Sequence, residues 1–87
     1  MGLKLYPLLK PKEVIAILTA LGFTLKRTDG SHAQYERLAS EGHQRALVTV
    51  DLGYSQFTKR MMKNMITQSK FSRREFYGAT KKTAKKI

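Results

Sequence analysis

A chain of 87 residues has room for one hydrophobic core, and its 41% apolar share lies in the globular range, so a second domain is not expected. Cysteine is absent, which excludes a disulfide framework and a thiolate metal site. The longest apolar run, Val14 to Leu18, is far short of the roughly 20 residues a membrane span needs, so the sequence predicts a soluble protein of a reducing cytoplasm. The formal charge of +11, from 17 Lys and Arg against 6 Asp and Glu, points to a polyanionic partner, nucleic acid before membrane, because no segment joins a basic face to exposed Trp or Phe.

Residues 1–10 read as an N-terminal lead. From Pro11 to Leu21, Val14, Ile15, Ile17, Leu18 and Leu21 recur at helical spacing, with Pro11 suited to the first turn and Gly22 to the left-handed position after the last. Phe23 to Thr28 alternates apolar and polar, Asp29-Gly30 marks a turn, and His32 to Arg37 follows, which together predict a β-hairpin. A polar loop over residues 40–44 leads into Arg45 to Val50, whose β-branched content predicts a third strand.

A second helix is predicted over Thr58 to Ser69, with Met62, Met65, Ile66 and Ser69 on one face as core filler. Ser72-Arg73-Arg74-Glu75 has the spacing of a capping box and opens a short helix carrying Phe76 and Tyr77. Residues 11–78 then form the domain, and the lysine-rich stretch over residues 79–87 reads as a disordered tail that grips phosphates without sequence preference. The expected fold is α+β, in the order αβββα(α), with a three-stranded antiparallel sheet covered on one face by both longer helices.

Side chains alternate along a strand, so Phe23, Leu25, Ala33 and Tyr35 are expected to face inward, leaving Thr24, Lys26, His32 and Gln34 on the open face. A lone exposed histidine is commonly bland. Here Ser31, Lys26 and Arg27 surround it with phosphate donors, and an ordinary imidazole titrates near neutral pH, as proton transfer requires. RNA carries its own nucleophile, so one base for the 2′-hydroxyl and one cation for the phosphorane suffice to cleave it without a metal or cofactor. His32 with Lys26 meets that minimum; Lys59, Arg60 and Lys63 are further candidate phosphate contacts. No Gly-rich phosphate loop, HExxH motif or paired carboxylates suggest other chemistry. His43 reads as a solvated loop residue, although His43, Tyr54 and Lys26 all stay open as the general acid.

The helix, the hairpin turning at Gly30-Ser31-His32 with Tyr35 three residues on, the strand ending Val48-Thr49-Val50, and the closing Phe71-Ser72-Arg73-Arg74-Glu75-Phe76 resemble the HicA family of mRNA interferase toxins over about Pro11 to Gly78. The resemblance implies a double-stranded-RNA-binding-like fold, cleavage of mRNA, and inhibition by a HicB-type antitoxin that covers the histidine. His32 matches the family's catalytic histidine. The chain departs from the family pattern at Asp51-Leu52-Gly53, where relatives commonly carry Pro and then His, and at Lys70, where they usually turn with Gly. Two other readings compete: a non-catalytic basic module that sits on structured RNA through phosphate and 2′-hydroxyl contacts, and an interaction protein whose sheet docks an acidic partner.

Overall fold

The structure, a computed structural model, describes residues 6–87. Seven elements follow in chain order: α1 (Pro11–Ala20), β1 (Thr24–Asp29), β2 (His32–Arg37), β3 (Ala46–Asp51), α2 (Lys59–Ser69), α3 (Arg73–Tyr77) and α4 (Lys81–Ala84). The strands form one antiparallel sheet in the order β1-β2-β3, so the fold is α+β, consistent with the double-stranded-RNA-binding-like arrangement. Of the N-terminal lead, residues 1–5 lie outside the described residues, and Leu9 is fully buried. No described helix is long and apolar enough to cross a membrane.

At the start of α1 the Lys10 amide donates to the Glu13 carboxylate at 2.9 Å, satisfying one of the donors a helix start leaves unpaired. The chain leaves α1 through Gly22 at φ 96°, a conformation that a Cβ makes costly. Space is also short there: a Cβ on Gly22 would lie 3.3 Å from Nε of Arg37, which itself donates to the Leu21 carbonyl at 2.9 Å. One glycine thus lets β2 be tied back to the end of α1.

Between β2 and β3 the register pairs Ala33 with Val50 and Tyr35 with Val48, and opposed residues share a face. All four are buried, with Val14, Ile17, Leu18, Phe23, Phe57, Met62, Met65 and Phe76 completing the core. His32 opposite Asp51, Gln34 opposite Thr49 and Glu36 opposite Leu47 make up the other face.

The first strand departs from the expected alternation. Leu25 pairs with Tyr35 as predicted, but the register then slips, so that Arg27, not Lys26, opposes Gln34 and Asp29 opposes His32. The extra residue is a β-bulge at Lys26, which turns Arg27 onto the His32 face. Leu25 was expected in the core and is 54% exposed, because β1 is an edge strand beyond the helices' reach and none of its residues is buried.

Thr58 caps α2, its hydroxyl accepting from the Met61 amide at 3.2 Å, and the helix ends at Lys70 with φ 70°, a left-handed conformation held by a residue other than glycine. The capping box at Ser72 and Glu75 forms in both directions, at 3.1 and 2.9 Å, and opens α3, which buries Phe76 and Tyr77. Tyr77 donates its phenol proton to the Pro7 carbonyl at 2.6 Å, and burial pushes that phenol's pKa up to about 12.

Residues 79–87, expected as a disordered tail, instead carry α4. The Thr80 hydroxyl caps it by accepting from the Thr83 amide at 3.1 Å, and Thr83, 1% exposed, donates to the Tyr77 carbonyl at 2.6 Å. Lys86 reaches Glu13 on α1 at 3.0 Å. A burial contact and a helix cap offset the chain entropy that four lysines alone leave unopposed.

Candidate active site

His32 is the first residue of β2, two residues after the left-handed Gly30 that turns the hairpin. Its position in the ladder sets its neighbours: Asp29 across one strand boundary, Asp51 across the other. Nε2 of His32 lies 3.5 Å from Oδ2 of Asp51, an ion pair whenever the imidazole is protonated, with the histidine side chain 59% exposed and the aspartate 22%.

Asp51 is itself fixed in place. Its Oδ1 accepts from the Gly53 amide at 2.9 Å, and the Leu52 amide donates to the Ser31 carbonyl at 2.6 Å, which sets the Ser31 hydroxyl beside that carboxylate. The Gly53 amide first, then the Ser31 hydroxyl and the nearby imidazole, hold the Asp51 carboxyl below the usual aspartate range, against an opposing loss of hydration. Glycine suits this loop, since a Cβ at Gly53 would come within 3.2 Å of that same Oδ1. The turn before β2 and the loop after β3 are thereby joined around one carboxylate, which faces one imidazole.

His32, Thr49 and Asp51 form one wall of a cleft of about 220 Å³. The other wall is α2, which contributes Met61, Asn64, Met65 and Gln68. Among the described residues, no group of three or more His, Cys, Asp or Glu is placed to hold a metal ion.

A protein-family model described as the HicA toxin of bacterial toxin-antitoxin systems matches residues 11–70, more than half of the chain. This chain belongs to the HicA toxin family. HicA toxins act in toxin-antitoxin pairs, so an antitoxin is the partner that membership brings. No curated protein matches the chain in a sequence search. The HicA match takes in His32, Asp51 and both walls of the cleft and stops at Lys70, so α3 and α4 lie beyond it.

The remaining predicted site residues of this HicA chain fall into four groups. Ser31 and Gln34 stay with His32, the former through Asp51 and the latter on the same sheet face. Arg27 joins that face through the bulge and pairs with Asp29 at 3.2 Å, both side chains well exposed, with Lys26 beside it at the inserted position. Lys59 and Lys63 are not brought to His32: they line a separate groove of about 360 Å³ with Tyr6, Met62, Ile66 and Tyr77, on the opposite side of α2 from the cleft. Arg60 is exposed between those two sides, one turn ahead of Asn64.

Of the three residues left open as general acid, His43 lies in the loop after β2, at the other end of that strand from His32. Its ring packs 5.9 Å from that of Phe71. Tyr54 is 47% exposed and packs against Phe57 with ring centroids 6.4 Å apart. Asp51, Asn64 and Gln68 are the members of the site that sequence reasoning did not find. The expected third strand stopped one residue short of Asp51, and nothing in the helical pattern set Asn64 and Gln68 apart from ordinary solvated positions.

Proposed function

We propose that this HicA-family protein is a cytoplasmic endoribonuclease that cleaves mRNA, that His32 carries the proton transfer, and that a HicB-type antitoxin silences it by covering His32. The observation that carries the reading is the couple of an exposed imidazole and a carboxylate fixed by the Gly53 amide, on a sheet face that also presents Arg27 and Gln34.

In this mechanism His32 accepts the proton of the 2′-hydroxyl. The 2′-oxygen forms its bond to phosphorus, the bond from phosphorus to the 5′-oxygen breaks, and that oxygen takes a proton from the solvent the open face admits. The products are a 2′,3′-cyclic phosphate and a 5′-hydroxyl. Asp51 is a positioning residue: it holds one ring nitrogen and stabilises the imidazolium that proton uptake creates, leaving the other nitrogen for the substrate. Arg27 and Lys26 supply positive charge for the phosphorane, and Arg60 contacts the RNA backbone.

The test is degradation of a long mRNA by the purified parent and by His32→Ala, with circular dichroism confirming that the variant is folded. The parent is expected to shorten the RNA and the variant to leave it intact; equal degradation by both rejects the role of His32. RNA bound by the parent without shortened products supports the non-catalytic binding module instead. Addition of the purified HicB-type antitoxin is expected to stop the parent's cleavage and to protect His32 from chemical modification.

A further inference from the structure

Met61, Asn64, Met65 and Gln68 stand at positions i, i+3, i+4 and i+7 of α2, so they form one stripe along the helix. That stripe lies beside the outer edge of β3, the strand at the end of the sheet. Oε1 of Gln68 accepts from the Thr49 amide at 3.2 Å, giving a partner to an N–H that the sheet edge leaves free. With its oxygen committed there, the Gln68 amide, which lines the cleft, has its nitrogen and both protons left to donate. Asn64, exposed one turn earlier, adds a second amide. Met61 and Met65 supply a polarizable apolar wall, of the sort that packs against a flat π-face.

The cleft's size limits what it can take. Its volume of about 220 Å³ is room for one flat heterocycle laid between the strand and the helix. His32 and Asp51 line it on the strand side. A ribose whose 2′-hydroxyl is at His32 therefore has an adjoining base within reach of the two amides.

We infer that the cleft between β3 and α2 is a binding site for a single unpaired nucleobase next to the scissile phosphate, and that it sets which bonds are cut. This rests on the nuclease reading given above. Donors from Gln68 and Asn64 select a base edge that presents acceptors, and the methionine wall takes its face. The base has to leave its stack to enter, so single-stranded segments are cut and paired ones are spared.

The test has two arms. In the first, a pool of single-stranded RNA of random sequence is cut by the parent, by Asn64→Ala and by Gln68→Glu, which keeps an acceptor for Thr49 and removes the donors, and the cut positions are sequenced. The parent is expected to favour one base beside the cut by on the order of tenfold, the scale of a good side-chain contact to a base edge, and both variants to lose most of that bias. A parent with no bias beside the cut, or variants that keep it in full, overturns the inference.

The second arm does not need cleavage. His32→Ala protein is titrated with a four-nucleotide RNA and with the same backbone lacking its bases, and the side-chain amide resonances of Asn64 and Gln68 are followed. Shifts with the first and none with the second support the site even where the parent cuts nothing, an outcome that removes the nuclease reading alone. Equal shifts, or none, overturn the site.

Discussion

Two histidines flank β2, His32 at its start and His43 in the loop beyond its end, and their environments differ in kind. His32 opens β2 beside Asp51, whose carboxylate is fixed by the Gly53 amide, and it lines a cleft. At the far end His43 packs on Phe71, Arg37 lies over the same ring at 5.5 Å while bonding back to Leu21, and Arg45 neutralises Glu36 at 2.6 Å. The hollow at that end is the larger, about 310 Å³ against about 220 Å³, yet no carboxylate lines it, and its Arg37 is engaged in holding the fold. What distinguishes a candidate catalytic histidine here is a carboxylate partner with the ring still exposed, and neither the residue type nor the size of the neighbouring hollow supplies that.

The contrast is broken most severely at the two rings themselves. His32→Ala is expected to lower RNA cleavage by on the order of 100-fold or more, the usual reach of a general base, and His43→Ala to stay within about threefold of the parent. Comparable losses from both variants, with folding intact, end the distinction between the two ends. Initial rates on one labelled RNA check it.

Asp51→Asn keeps the size of the side chain and removes its charge, so the imidazolium loses its counter-charge while the Gly53 amide can still be accepted. Cleavage is expected to fall by on the order of tenfold, less than for His32→Ala, and the pH-rate profile to move, whereas a merely structural role for Asp51 would leave that profile in place. The same residue has a stability signature in acid. Because its carboxyl is held below the ordinary value of 3.8 in the folded chain, its ionised form stabilises the fold above that pH, and the contribution is lost as pH falls through the lower folded value. Urea melts between pH 5 and pH 2.5 should show less of this acid sensitivity in Asp51→Asn.

A smaller effect is expected where the chain leaves α2. Lys70 holds φ 70°, so Lys70→Gly relieves a left-handed side chain and should stabilise the protein by about 0.5–1 kcal/mol in urea unfolding, with cleavage unchanged. Opposite in sign is the alkaline behaviour of Tyr77. Its phenol titrates near 10 when unfolded and at about 12 in the fold, so stability is complete below pH 10 and declines as pH rises from 10 towards 12. Tyr77→Phe gives up the bond to Pro7, about 1 kcal/mol, and with it this alkaline decline, which melts at pH 9 and pH 11 check.

The parts of the fold with a local cause were readable from the residues. Pro11 and Gly22 bracket α1, Asp29-Gly30 turns the hairpin, and the Ser72 to Glu75 spacing forms the capping box it predicts. The missed features depend on tertiary partners. No glycine or other local mark announces the bulge at Lys26, on a strand at the sheet edge with none of its residues buried. Asp51 reads as a turn former, and only the ladder opposite His32 keeps it in β3. Four lysines over residues 81–86 hide Thr80 and Thr83, whose hydroxyls cap and anchor α4. His32 was legible as a candidate from its turn and neighbours, but its partner was not, because that requires the strand register.

In the proposed reaction His32 moves the proton in cleavage at the RNA 2′-hydroxyl. The most direct measurement is the end chemistry of products from labelled RNA incubated in EDTA with the parent and with folded His32→Ala. The parent is expected to yield 2′,3′-cyclic phosphate and 5′-hydroxyl ends, and the variant no such ends. Products ending in a 5′-phosphate, or cyclic-phosphate ends formed equally well by His32→Ala, would contradict it.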